Sequence, residues 1–219
     1  MNRLLACWDS TLGKKAVMGA TGLLMIAWVV LHVAGNLQAF RGAAAFNGYS
    51  GLLHGPLHEA LILMRLVLLG CLLLHVTASL QLARRNRLAR PEPYARTEPQ
   101  AATMASRTIR LGGWVLLTFV VLHLLHLTTG QIHPDFVEAD AYHNLVVGLA
   151  QPLAAAGYLV AMVSIGLHVY HGAWSSWRSL GLAQGSSRPL ERPLAAALAV
   201  LVWLGFSLIP VAVLLGWLE

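Results

Sequence analysis

Charge is scarce in this sequence. Asp, Glu, Lys and Arg together make up 11% of the 219 residues, against 57% apolar residues, and the mean hydropathy is +0.65. A water-facing globule carries about 25% charged residues, so there is too little polar surface here to coat one. That excludes a soluble enzyme, a disordered chain and a conventional nucleic-acid binder, in spite of a pI near 9.9. Acid is scarcer than base, with nine Asp and Glu against 15 Lys and Arg and a net charge of +6. Cysteine is scarcer still: Cys7 and Cys71 are the only two. No low-complexity tract is present. What the chain has in quantity is apolar runs, and these define an integral membrane protein.

Runs close to the 20 residues of a membrane span read at 16–37, 58–83, 111–129, 145–173 and 194–217. Basic residues fall on alternate sides of them. Arg3, Lys14 and Lys15 precede the first span; Arg84, Arg85, Arg87, Arg90, Arg96, Arg107 and Arg110 lie between the second and third; Arg178, Arg188 and Arg192 lie between the fourth and fifth. Only Arg41 lies on the other side, and Arg65 sits inside the second span. The positive-inside rule then predicts five helices with a cytoplasmic N-terminus and Glu219 outside. The segment His133–Asp140 is acidic, with Asp135, Glu138 and Asp140, as an outer loop should be. On this topology Cys7 is cytoplasmic and Cys71 lies within a span, so no disulfide is expected. The basic loops suit anionic lipid or a cytoplasmic partner, and nucleic acid is not needed to explain them.

No cleaved signal peptide is expected, because the first apolar run begins after Lys15, is of full span length and lacks an A-x-A-like site. The whole chain, 1–219, reads as one membrane domain. Pro91, Pro93 and Pro99 break any helix in the linker Arg84–Arg107. The outer segment Ala39–Pro56 is loop-like in its small residues, but Phe46, Tyr49, Leu52 and Leu53 predict an interfacial helix capping the mouth of the bundle.

Ten histidines are many for so apolar a chain. His32, His75, His123, His126, His168 and His171 fall within or at the ends of spans, where a polar group is expensive unless it faces the bundle and finds a partner. Counting from the nearest basic residue at about 1.5 Å per residue, His75 lies roughly 14 Å deep, His168 roughly 15 Å, His123 about 20 Å and His32 about 25 Å. Two layers result. The second and fourth spans offer imidazoles nearer the cytoplasm; the first and third offer them nearer the outside.

Two imidazoles facing each other across a bundle are what six-coordinate haem iron requires, and ligation removes the cost of an unpaired imidazole in hydrocarbon. The layers therefore predict a proximal haem on His75 and His168 and a distal haem on His32 and His123, held in a four-helix core with a fifth, flanking helix. No C-x-x-C-H occurs, so covalent c-type attachment is excluded. Arginines at both ends are candidates for the propionates. Depth alone leaves His126, at about 24 Å, as a rival to His123. A repeat favours His123: Gly22 precedes His32 by ten residues with Val29-Val30-Leu31 just before it, and Gly113 precedes His123 by ten with Val120-Val121-Leu122 just before it. In the fourth span His168 is the deeper, leaving His171 near the interface for a propionate or a partner.

These residues resemble a known family, the dihaem cytochrome b membrane anchors of succinate:quinone oxidoreductase and fumarate reductase (the complex II superfamily), in the single-chain, five-helix branch. The resemblance covers essentially the whole chain. It rests on His32-x-x-x-Asn36, His75, Trp114 with His123-Leu-Leu-His126, His168-x-x-His171-Gly172-x-Trp174, and the loop Arg84-Arg85-Asn86-Arg87-x-Ala89-Arg90-Pro91. It implies a bacterial cytoplasmic-membrane subunit with no succinate chemistry of its own. A flavoprotein subunit with FAD and an iron–sulfur subunit would oxidise succinate, and electrons would pass through two non-covalent b haems to a quinone, typically menaquinone. The family's four axial ligands fall on His32, His75, His123 and His168. Some dihaem fumarate reductases carry a glutamate two residues before the fourth-span ligand; here that position is Gly166, which tilts the reading toward succinate oxidation.

A quinone site needs an apolar slot with proton donors close to the reducing centre. The outer end of the second span supplies His54, His58, Glu59 and Arg65, candidates for quinone or propionate contacts. A cytoplasmic-side site using Trp8, Ser10 or Lys14 is the alternative. Against the haem reading stand a histidine-rich di-iron desaturase or hydroxylase, which would gather its histidines and carboxylates on one membrane face, and a haem-free anchor or transporter. A dihaem cytochrome b of hydrogenase or formate dehydrogenase would keep the haems and change only the partner. The terminal tryptophans Trp114, Trp174, Trp177, Trp203 and Trp217 read as interface anchors.

Overall fold

A computed structural model describes residues 8–89, 103–182 and 189–219. The features assigned from sequence to Arg3, Cys7, Arg90, Pro91, Pro93, Arg96, Pro99 and Arg188 lie outside the described residues. Among the described residues the chain forms seven α-helices and no strand: α1 (Thr11–Asn36), α2 (Ala43–His54), α3 (His58–Leu88), α4 (Met104–His123), α5 (Ala141–Ala150), α6 (Pro152–Ser179) and α7 (Glu191–Leu214). A 3-10 turn, Leu37–Arg41, extends α1, and a π-helical turn, Leu124–Thr128, extends α4. Five of these segments, Thr11–Arg41, His58–Leu88, Met104–Thr128, Pro152–Ser179 and Glu191–Leu214, are long and apolar enough to cross a membrane. The protein is an all-α, multi-pass membrane protein.

Helix starts follow local chemistry. The Ser10 hydroxyl accepts from the Gly13 N–H at 2.8 Å, Thr103 from Ser106 at 3.2 Å, and the Asp140 carboxylate from His143 at 3.0 Å, each satisfying an N-terminal amide that the helix leaves unpaired. The spans run past the apolar runs at several ends, because polar residues such as Ser106 and Arg110 continue α4 toward its cap. The fourth span is the clearest departure from the sequence reading. The run 145–173 is not one helix: Gln151 is extended (φ −73°, ψ 115°), and α6 starts at Pro152. Proline lacks the amide that would bond back into α5 and disfavours helical geometry in the residue before it, so it ends one helix and opens the next. Residues 145–150 thus belong to the short helix α5. The fifth span likewise runs from Glu191 to Leu214 rather than over 194–217.

Helix α2 forms where an interfacial helix is expected. Its Phe46 is buried among Leu145 and Leu149 of α5 and Ile209 and Val213 of α7, while Tyr49 and Leu52 stay exposed. Asn47 fastens α2 to α5, donating from Nδ2 to Asp140 at 2.9 Å and accepting from the Tyr142 N–H at 2.9 Å. These helices close the end of the bundle opposite the Arg-rich end.

Among the spans, α1 packs closely on α3 and on α6, α4 packs on α6, and α7 lies along α6 with a lesser contact on α1. The pairs α3–α6 and α1–α4 are not among the closely packed ones. Small residues permit the close approaches. Gly19 meets the Ser176 backbone, and a Cβ on Gly166 would lie 3.1 Å from Trp203 Cβ. At the Arg-rich end, Arg178 of α6 makes an ion pair with the buried carboxylate of Glu191 at the start of α7. There too Lys14 is fully buried, its ammonium donating to the Trp8 carbonyl at 2.7 Å over the Trp8 ring, and Arg85 of α3 donates to the Asp9 carbonyl at 2.6 Å.

Candidate functional site: two facing histidine pairs

Four spans each contribute one imidazole to two facing pairs. The ring centroids of His75 (α3) and His168 (α6) are 6.2 Å apart with planes at 53°; those of His32 (α1) and His123 (α4) are 6.0 Å apart at 76°. In each pair the rings bridge two helices whose backbones are not closely packed.

Each ring is held by a different device. His75 Nδ1 donates to the Met18 carbonyl at 3.0 Å, with Thr21 Oγ1 at 3.4 Å, and Gly22 leaves the space in which its Cε1 lies. This fixes the tautomer and leaves Nε2 as the basic nitrogen. His123 Nδ1 lies 3.2 Å from the Tyr158 hydroxyl, with Phe119 stacked on the ring at 5.6 Å. His32 is stacked on Trp28 at 4.7 Å and meets Phe206 of α7 at 5.5 Å, while Asn36 Nδ2 donates to its main-chain carbonyl at 2.8 Å. His168 Nδ1 is buried with no hydrogen-bond partner, as are His171 Nδ1, Trp174 Nε1 and Trp177 Nε1. A buried unsatisfied group costs about 1–3 kcal/mol, and four of them line the Arg-rich half of α6. Arg178 and Arg192 stand over the Trp174 ring at 5.0 and 5.5 Å.

The donor set fits haem. Two facing imidazole pairs, with centroids 6.2 and 6.0 Å apart, are the donor set that would hold two haem irons. Among the described residues no three His, Cys, Asp or Glu side chains gather as a metal-ion site, so the clustered ligand set of a di-iron enzyme is not formed there.

The remaining candidates are placed differently. His54, His58, Glu59 and Arg65 are all exposed at the end of α2 and the start of α3. His54 donates from Nδ1 to the Ser50 carbonyl at 2.9 Å, and Arg65 reaches its Nε2 at 3.4 Å. The structure brings these two together but gives none of the four a contact with His32 or His123. Ser10 caps α1, and Lys14 is turned into Trp8. His126 faces away from the His32–His123 cleft, against His133 at 5.1 Å. Tyr158, Trp28, Met18 and Phe206 were not singled out in the sequence; of these only Tyr158, a hydroxyl inside an apolar run, left a visible signal. Comparison with family models, curated proteins and solved structures finds no match.

Proposed function

We propose that this chain is the dihaem cytochrome b membrane anchor of a succinate dehydrogenase, carrying electrons from an iron–sulfur subunit through two b haems to menaquinone or another quinone. The observation that carries the reading is the double pairing: His75 with His168 and His32 with His123, one ring from each of four spans. Haem b supplies a one-electron iron couple. The chain's own residues hold it. His75 and His168 would be the axial ligands of the proximal haem and His32 and His123 those of the distal one. Arg178, Arg192 and the unpaired nitrogens of His171, Trp174 and Trp177 are suited to propionates at the Arg-rich end.

Under this reading the Arg-rich end faces the bacterial cytoplasm, with the N-terminus inside and Glu219 outside. There it receives the iron–sulfur subunit, itself joined to the FAD-bearing flavoprotein. Quinone exchange is assigned to the opposite end, where Glu59, His54, His58 and Arg65 offer proton donors and acceptors. A quinol:fumarate reductase anchor is the second reading. Gly166 weighs against its transmembrane proton route, because glycine carries no carboxyl there and the position packs tightly on Trp203. An anchor for hydrogenase or formate dehydrogenase would use the same haems with another partner.

The test is a dithionite-reduced minus oxidised spectrum with pyridine haemochrome quantification of the purified chain or its complex. Two b haems per chain are expected. A chain without haem would overturn the mechanism and leave a membrane anchor or transporter.

A further inference from the structure

Resting on the dihaem reading, we propose that Tyr158 is the positioning residue that gives the distal axial position to His123 and denies it to His126. Both histidines lie on the same stretch of the third span, three residues apart. The Tyr158 oxygen stands 3.2 Å from Nδ1 of His123 and 3.1 Å from Nδ1 of His126. A hydroxyl has one proton to give, so it donates to at most one ring, and the order that uses both its donor and its acceptor capacity has it accept from one ring and donate to the other. A histidine that ligates through Nε2 keeps its proton on Nδ1 and must be the ring that donates to Tyr158. The other ring receives the hydroxyl proton at Nδ1, keeps its own proton on Nε2, and has no lone pair left for a metal. In that order only one of the two can be a ligand.

The surroundings decide which. His123 faces His32 at 6.0 Å between centroids, on two helices that are not closely packed. His126 is buried, and the turn that carries it, Leu124–Thr128, is π-helical, which swings it off the line an α-helix would give it. A Cβ on Gly148 would lie 3.0 Å from His126 Nε2 and 2.8 Å from His133 Nε2, so α5 closes that side. His133 is itself fixed, with Nε2 donating to the Asn144 carbonyl at 2.8 Å and Nδ1 accepting from the Asp135 N–H at 3.0 Å. His126 is thus enclosed by Tyr158, His133 and the Gly148 backbone. The hydrogen-bond order therefore runs from His123 Nδ1–H to Tyr158 and from the Tyr158 hydroxyl to His126.

The experiment is redox potentiometry with optical and low-temperature EPR detection on the assembled membrane complex, comparing wild type with Tyr158→Phe and His126→Gln. Removing the acceptor of the His123 Nδ1 proton makes the imidazole a weaker donor. Tyr158→Phe should therefore raise the midpoint potential of the distal haem and shift its low-spin g values, with the proximal haem unmoved. The ring contacts of Tyr158, with Phe119, His123 and His126, all lie at the distal pair, so the proximal haem is the internal reference. His126→Gln should keep two haems per chain. The assignment is overturned if His126→Gln loses one haem, or if Tyr158→Phe leaves both potentials and all g values at wild type. If Tyr158→Phe does not assemble, the haem count of His126→Gln decides. A wild-type chain without haem overturns the dihaem reading itself, and this assignment with it.

Discussion

His75 gives its Nδ1 proton to the main-chain carbonyl of Met18 at 3.0 Å, while its ring centroid stands 6.2 Å from that of His168. The acceptor is backbone, so no side-chain replacement at position 18 removes it. Thr21 Oγ1, the nearby alternative, already donates to the Val17 carbonyl at 2.7 Å. The ring is thus oriented before any ligand arrives, with Nε2 unprotonated.

The pairing itself predicts how haem is lost. Replacing His75 or His168 by Ala should each remove the same haem, and replacing His32 or His123 the other. A double variant within a pair should lose no more than a single one, whereas a double variant across pairs should lose both. Pyridine haemochrome per chain reads the outcome directly. Loss of both haems from any single replacement, with the chain still folded, would contradict two independent clefts.

Glu59 lies in the first turn of α3 and is exposed, whereas Glu191 at the start of α7 is buried in its pair with Arg178. Glu59→Gln keeps the size and removes the proton-exchanging group. The expected outcome is slowed quinone turnover with an unchanged reduced-minus-oxidised haem spectrum. Wild-type menaquinone kinetics in this variant would sink the quinone site at this end and favour the Arg-rich end.

Two glycines distinguish tight from tolerant contacts at the rings. A methyl on Gly148 would enter the fixed His126–His133 pair at 2.8–3.0 Å, whereas one on Gly22 would meet His75 Cε1 at 3.3 Å. Overpacking a filled site costs about 1–3 kcal/mol. Gly148→Ala should fall in that range and Gly22→Ala below it. Thermal unfolding of the detergent-solubilised chain ranks them. Equal melting temperatures for the two would show that the α5 side of His126 can yield.

The four facing histidines were legible because span length and alternating basic loops fix direction and depth together. The limits of that arithmetic show at Tyr158. Counted from Arg178 it lies about 30 Å deep and His123 only about 20 Å from Arg110, yet the two side chains touch. Arg110 is six residues inside α4; counted from Met104, the first residue of the helix, His123 is about 28 Å along, level with Tyr158. A basic residue does not mark the helix end. The break at Gln151–Pro152 was hidden for a related reason: hydropathy is continuous across it, and only proline's missing amide separates α5 from α6. That α1–α4 and α3–α6 are not closely packed depends on which helix faces meet, which no one-dimensional pattern displays.

Asp140 links the cap to pH. Its carboxylate accepts from the His143 N–H at 3.0 Å and from Asn47 Nδ2 at 2.9 Å, and the first of these, then the second, holds its pKa below the ordinary 3.8. A depressed folded-state value means the charged form is favoured by folding. The stabilisation is present in full above the unfolded value and disappears as pH falls through the lower folded one. The α2–α5 cap should therefore weaken only below about pH 4. Asp140→Asn keeps an acceptor at the N-cap but cannot titrate, so its thermal stability should be lower than wild type near neutrality and converge with it in acid. Asn47→Ala should lose the α2–α5 clasp at every pH, because its amide also accepts from the Tyr142 N–H. Melting temperatures of the three proteins between about pH 7 and pH 3 separate these cases. A constant difference between Asp140→Asn and wild type across that range would mean that the Asp140 charge does not hold the cap.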